Sequence, residues 1–223
     1  MNSKQVYVRL DEDGKYFTAS FDYENKELNF GRSFNLHRQC SETVKDFTFR
    51  LSSNVEKFLA ARLKRREKKG KKLEIVTNVE VQLLQNSHTV PPELTCNDVL
   101  FKVENPSLVL RISDVDYPVV VNPPWIHSVV LPNAMLAGFP VYPKKFIISH
   151  TTKENCEFLW SISSNDEKAD STHCPYSKAG EGFIYSPSAS DIGHYIKLDC
   201  TPKQGDKVGP VSTLQSGILQ HSS

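Results

Sequence analysis

The sequence predicts an α+β fold that is mainly β: a mixed sheet accompanied by one long helix, then a second region of strands alone. Three observations carry this. Short segments alternating apolar and polar residues recur along the 223-residue chain, the period of strands with one face in a core. One stretch, opening near Ser41, instead places apolar residues at spacings of three and four. Asn122-Pro123-Pro124 stops a strand and stiffens the connection after it, and no strong helical period is found beyond it. A chain of this length holds apolar surface for two cores, and two domains, 1–122 and 123–223, are expected.

Val6 to Leu10 is β-rich, and the polar Asp11-Glu12-Asp13-Gly14 leads into Tyr16 to Tyr23, where Phe17, Ala19, Phe21 and Tyr23 alternate with Thr18, Ser20 and Asp22. The pair reads as a hairpin. A short strand from Leu28 to Leu36 follows, interrupted at Gly31. Ser41 is the expected N-cap of the helix, with Glu42 and Asp46 near the positive end of its dipole. Val44, Phe47, Leu51, Val55, Phe58, Leu59 and Arg62 then mark one stripe over about five turns. Ser52-Ser53-Asn54 has poor helix propensity, but the period continues on either side and favours a single helix. Leu73 to Leu84, with Val79, Val81 and Leu83, returns the chain to the sheet until Pro91-Pro92 breaks it. Leu94 to Val99 is a short helical or irregular connection. Leu108 to Ile112 and Tyr117 to Val121 are strands joined by Ser113 to Asp116.

In the second region Trp125 to Leu131 and Lys145 to Ser149 read as strands, and Gly138 to Pro143 as an extended edge. Phe158 to Ile162 is a strand whose Phe158, Trp160 and Ile162 face a core. Ser163 to Gly182 is polar, holds Pro175, Gly180 and Gly182, and reads as a long surface loop. Phe183 to Tyr185 is a short strand, stopped by Pro187, and Asp191-Ile192-Gly193 is a turn. Tyr195, Lys197 and Asp199 alternate with Ile196, Leu198 and Cys200, and Gln204-Gly205-Asp206 turns the chain into a final strand from Val208 to Leu219. The spacing Asp191-x-Gly193-x-Tyr195 matches the corner leading into strand F of immunoglobulin-like sandwiches, where a tyrosine hydroxyl bonds back to the backbone. With Trp160 in the core, an immunoglobulin-like β-sandwich is expected, carrying Lys197 where an antibody domain has its disulfide cysteine.

A net charge of +1 names no partner. The five cysteines, Cys40, Cys96, Cys156, Cys174 and Cys200, are odd in number and lack CxxC spacing, which points to reduced thiols rather than a zinc site or a disulfide framework. Apolar runs such as Val119-Val120-Val121 fall far short of the roughly 20 residues of a membrane span, so no membrane partner is expected. The sequence holds no phosphate loop, dinucleotide fingerprint or nucleophile elbow. Its seven histidines stand without Asp or Glu at metal-ligand spacing. No catalytic residue, metal or cofactor is expected in this chain. The clear charge run is Arg62 to Lys72, in which Glu67 alone is acidic. As a solvated helix end, these cations suit the negative pole of the dipole. As a binding patch, Lys64, Arg65, Arg66, Lys68, Lys69, Lys71 and Lys72 displace counterions from nucleic-acid phosphates. No aromatic residue interleaves the run to stack on bases.

Taken together, Leu136 to Pro143, Phe158-Leu159-Trp160, Tyr185 to Gly193 and Lys197 to Pro202 resemble the N-terminal region of the 2′,5′-phosphodiesterase 12 family. Ile112 to Tyr117 with Asn122-Pro123-Pro124 fits the same region, so the resemblance covers about residues 108 to 215. It implies an accessory part of Mg²⁺-dependent hydrolases of the endonuclease/exonuclease/phosphatase class, which cleave 2′,5′-linked oligoadenylate and 3′ poly(A) tails of mRNA in mitochondria. The metal-binding Glu, the Asp-x-Asn pair and the Ser-Asp-His motif of that class have no counterpart here, so the catalytic domain and its magnesium are expected to be absent from these residues. The implied role is a non-catalytic region that packs on a nuclease domain, in cis or in trans, and helps present adenylate-rich RNA through the basic run. The implied address is mitochondrial, yet Asp11, Glu12 and Asp13 do not suit an Arg-rich presequence, which leaves the cytoplasm as the other expectation. The competing reading is a stand-alone immunoglobulin-like protein-interaction module without RNA contact.

Overall fold

Strand periodicity in the first half of the chain is realised as a single sheet carrying one helix on its face. The computed structural model describes residues 4–68, 78–104, 106–164 and 175–220, and the chain divides into two units, Met1–Asn122 and Pro123–Ser223. The first contains, in order, β1 (Val6–Leu10), β2 (Tyr16–Asn25), β3 (Phe30–Gln39), α1 (Val44–Glu67), β4 (Val81–Gln85), β5 (His88–Thr89), α2 (Cys96–Leu100), β6 (Leu108–Ile112) and β7 (Val115–Val121). The sheet order is β3-β2-β1-β7-β6-β4-β5. β1 runs parallel to β7, with Val6 opposite Val119, while β2 and β3 pair antiparallel along their full lengths. Phe17, Ala19, Phe21 and Tyr23 of β2 are buried at every second position, as are Val6 and Val8 of β1. Phe47, Leu51, Val55 and Leu59 of α1 close over the same core, with the Phe17 and Phe47 rings edge to face at 5.5 Å. Burying each such side chain contributes on the order of 1.5–3 kcal/mol, so the helix is held by its stripe more than by its propensity.

Several expected boundaries move. The N-cap of α1 is Thr43, not Ser41: the Thr43 hydroxyl accepts the Asp46 N–H at 3.1 Å. The residues before it are committed elsewhere. The Glu42 carboxylate is held by Arg38 at 2.6 and 2.7 Å and by Arg50 at 2.9 Å. The Val44 N–H is taken by the Leu94 carbonyl. β3 runs without interruption through Gly31, which pairs with Glu24, and Leu28 lies in the preceding turn, its N–H accepted by Asn25 Oδ1. The connection at Leu94 to Val99 resolves as α2, capped by Thr95 in the same way as α1. Of the expected strand from Leu73 to Leu84, residues 73–77 lie outside the described residues, and pairing begins at Val81. β7 starts at Val115, so Asp116 is a strand residue in an ion pair with Arg111 at 2.6 Å rather than a turn former.

The second unit holds β8 (Trp125–Val130), β9 (Lys145–Ser149), β10 (Glu157–Ser163), β11 (Tyr176–Glu181), β12 (Tyr195–Thr201), β13 (Lys203–Gln204), β14 (Lys207–Val208) and β15 (Ser212–Ile218). A four-stranded antiparallel sheet, β11-β10-β12-β15, and the β8–β9 ribbon share one core. Trp160, Ile196, Leu198 and Cys200 lie at its centre, fully excluded from solvent. Trp160 donates its indole N–H to the Gly182 carbonyl at 2.8 Å, which satisfies the polar end of a side chain otherwise valued for its apolar area.

Three readings of this half are corrected. The polar stretch from Ser163 to Gly182 contains β11, an edge strand whose side chains are half-buried or exposed, so its pattern carries no alternation; residues 165–174 lie outside the described ones. Phe183 to Tyr185 is no strand of its own but supplies a single bridge, Val141 to Tyr185. The last strand does not run from Val208: Gly209 and Pro210 separate β14 from β15. Gly209 donates to the Pro202 carbonyl, and a Cβ at this position would sit 1.9 Å from the Pro124 carbonyl oxygen, so only glycine lets the two segments approach. The described cysteines, Cys40, Cys96, Cys156 and Cys200, are free and buried.

Candidate nucleic-acid interface

The last turns of α1 place Lys64 and Arg65 in solvent and Arg66 half-buried, with Lys68 as the C-cap. Its apolar stripe ends first: Leu63 is the last residue of α1 packed against the core. The Lys68 N–H returns to the Lys64 and Arg66 carbonyls, and three basic residues in the final turn face the negative pole of the dipole. Arg66 Nη1 donates to the Glu27 carbonyl at 3.3 Å, tying the helix end to the β2–β3 turn. Among the described residues, none of Lys64, Arg65, Arg66 and Lys68 enters an ion pair. Lys69, Lys71 and Lys72 lie outside the described residues.

The fold adds one cation, Arg32, to this end of α1. Arg32 of β3, exposed and opposite Tyr23, lays its guanidinium 3.5 Å from the centroid of Phe58, one turn before Arg62. Arg62 itself has a buried Nε without a hydrogen-bond partner. Arg32 is thirty residues from the basic run, and only the β2–β3 register and the position of Phe58 on the helix bring it there; nothing in the sequence pattern marks it. What such a grouping can do is neutralise phosphates as point charges and, through the planar guanidinium groups, as bidentate donors.

Among the described residues no group of three or more His, Cys, Asp or Glu side chains meets as a metal ion requires. Described histidines are engaged one by one: His37 with Asp11 at 2.8 Å, His127 with Ser149 and His194 with the Ser163 carbonyl. Burial pushes the Cys96 thiol up to about 12, helped by Glu42 and Cys40, and burial does the same for Cys200, helped by Cys156 and Asp199. That is the opposite of an activated nucleophile. No helix among the described residues is long and apolar enough to cross a membrane.

The turn expected before β12 is present, but the tyrosine that braces it is not Tyr195, and its hydroxyl bonds to a side chain rather than to the backbone. Tyr185 donates its hydroxyl to Asp191 Oδ2 at 2.8 Å, and the same oxygen accepts the Ser188 N–H at 2.8 Å and the Ser188 hydroxyl at 3.1 Å. Tyr195, to which the spacing assigned this task, is half-buried in β12, with its N–H on Ser163 Oγ.

Residues 123–219 match the model of the 2′,5′-phosphodiesterase 12-like, N-terminal domain family. The chain is 34% identical over 121 residues to 2′,5′-phosphodiesterase 12 of Rattus norvegicus and to that of Homo sapiens, and 32% identical to that of Mus musculus. Each alignment covers 48% of this chain and 20% of the relative, so the chain spans about a fifth of the length of the curated relatives it matches. The second unit of this chain thus resembles the N-terminal domain of 2′,5′-phosphodiesterase 12-like proteins.

Proposed function

We propose that the chain is a non-catalytic accessory region of a 2′,5′-phosphodiesterase and poly(A)-directed exonuclease, an immunoglobulin-like module joined to an α+β unit with a basic helix end, working beside a nuclease domain in cis or in trans. The observation that carries this is the family match over residues 123–219, together with one-third identity to proteins named for phosphodiester cleavage. Such a role asks the second unit for surface rather than for a nucleophile; among its described residues the Cys156 and Cys200 thiols are buried, and His127 and His194 are hydrogen-bonded. The basic end of α1 supplies the second half of the proposal: Lys64, Arg65, Arg66 and Lys68, with Arg32 and Arg62, guide adenylate-rich RNA toward the nuclease. The mitochondrion is the compartment that goes with this reading.

A salt-titrated binding assay with oligoadenylate tests it. For a single strand, each phosphate neutralised contributes a slope of about 0.7 in the logarithmic salt dependence. Replacing Lys64, Arg65, Arg66 and Lys68 by Ala is expected to weaken binding uniformly across sequences and to flatten that slope by about two to three units. Unchanged affinity and slope would sink the RNA half and leave the interaction module without RNA contact.

A further inference from the structure

We infer that Arg32, laid flat on Phe58, is a nucleobase-stacking element that makes the basic end of α1 select single-stranded over double-stranded nucleic acid. The inference rests on the RNA-guiding role proposed above and names what that site reads besides phosphate. The basic run has no aromatic residue of its own, but the fold uses one a turn ahead of it: Phe58 precedes Arg62 by four residues. The Arg32 guanidinium carbon lies 3.5 Å from the centroid of Phe58 and 5.8 Å from that of Phe34. At the shorter separation the flat guanidinium stacks on the ring, which the compact ammonium of a lysine cannot do. The ring underneath is fixed. Phe58 packs against the core and meets Phe34, itself only 5% exposed, edge to face at 5.5 Å. Arg32 is exposed and β3 is the outermost strand of its sheet, so the face of the guanidinium turned away from Phe58 is open to a ligand.

The phosphate donors line up with this plane. Phe58, Arg62 and Arg66 follow one another at spacings of four on a single ridge of α1, about 6 Å apart along the helix axis. Arg66 reaches the β2–β3 turn at Glu27, on the side of the helix where Arg32 also sits. Arg62 keeps a buried Nε that no described residue uses. Among the described residues Arg32, Arg62 and Arg66 form no ion pair. Duplex and single strand offer phosphates alike, so the cations of the run do not tell them apart. Nucleobases do. Within a duplex each base face is covered by its neighbours, whereas an unpaired base turns out and lays its π-face on an aromatic ring or a guanidinium plane. Cations beside a preformed stacking plane therefore favour the single strand. An acidic peptide satisfies the cations and leaves the plane unused.

The test measures binding of the full chain by fluorescence anisotropy to three labelled probes: single-stranded oligoadenylate, the same strand annealed to its complement, and a strand of abasic sites with an equal number of phosphates. The parent chain is expected to prefer oligoadenylate to the abasic strand about tenfold, and to prefer it to the duplex as well. Arg32→Lys keeps the charge and removes the plane, so the salt slope is expected to stay while the preference for bases falls to about twofold or less. Arg32 is exposed on an edge strand, so the fold is retained. Phe58→Leu, checked for an intact helix by circular dichroism, is expected to lose the preference in the same way. Replacing Lys64, Arg65, Arg66 and Lys68 by Ala is expected to flatten the salt slope for oligoadenylate and abasic strand together and to leave their ratio unchanged. An undiminished preference for bases in Arg32→Lys would overturn the stacking inference while the RNA reading stands. Equal binding of oligoadenylate and abasic strand by the parent would do the same. Polyglutamate displacing oligoadenylate as well as unlabelled oligoadenylate does would assign the site to acidic protein and overturn it, and no binding of any probe would remove the RNA reading and the inference together.

Discussion

Asp191 shows how one carboxylate organises a corner. Burial alone would raise its pKa, but the Ser188 N–H, the Tyr185 hydroxyl, the Ser188 hydroxyl and the charge of His194 outweigh that and hold it below the ordinary aspartate value. Burial, and then the hydrogen bond to Asp191, push the Tyr185 hydroxyl upward in turn. A group whose pKa is depressed on folding stabilises the fold above its unfolded value, and that contribution fades as the pH falls through the folded one. Tyr185→Phe is expected to cost about 1–3 kcal/mol, because the carboxylate loses a buried donor. Asp191→Asn should destabilise the second unit at neutral pH, with the gap to the parent closing as the pH drops below the aspartate range. Urea denaturation read by tryptophan fluorescence across pH measures both; a gap independent of pH would show that the carboxylate charge is not what holds the corner. Residue roles were legible where period two fixed them: Trp160 is fully buried, as alternation with its neighbours required. The Tyr185–Asp191 bond was not, because it spans an irregular segment in which no period says which side chains meet.

At the scale of elements, hydrophobic period located α1 correctly and left its start to be decided by competition for hydrogen bonds. Ser41 and Thr43 are both chemically able to cap, but Glu42 is pulled aside by Arg38 and Arg50, and the first turn forms only after Thr43. Thr43→Ala is expected to lower stability by about 1 kcal/mol, whereas Ser41→Ala should stay within about 0.5 kcal/mol. Far-UV circular dichroism during urea unfolding distinguishes them, and equal losses at both positions would contradict the cap. β11 escaped the sequence reading for the complementary reason. An edge strand pairs through its backbone, and Lys178 and Glu181, which form an ion pair with each other, look like loop residues until the ladder to β10 is seen. The candidate interface was legible as far as the run of cations on one helix goes. Arg32 joins it through strand register, a long-range fact that composition does not encode.

On the scale of the whole molecule, the two units carry separate cores: Leu51 and Phe17 are central to one, Trp160 and Leu198 to the other. The optical probes divide in the same way. Both tryptophans, Trp125 and Trp160, belong to the second unit, while the 24-residue α1 belongs to the first and dominates the helical signal. Leu51→Ala removes a fully buried side chain from beneath α1 and is expected to cost about 2–5 kcal/mol. That loss should move the unfolding midpoint seen by circular dichroism at 222 nm and leave the tryptophan midpoint where it was. A polypeptide of residues 123–223 alone should reproduce the tryptophan midpoint of the full chain. If Leu51→Ala shifts both midpoints together, the two cores unfold as one cooperative block, and the division into an α+β unit and a family-matched β unit describes geometry without thermodynamic independence. If only the helical midpoint moves, the β unit can be transplanted, and the cations of α1 can be measured apart from it.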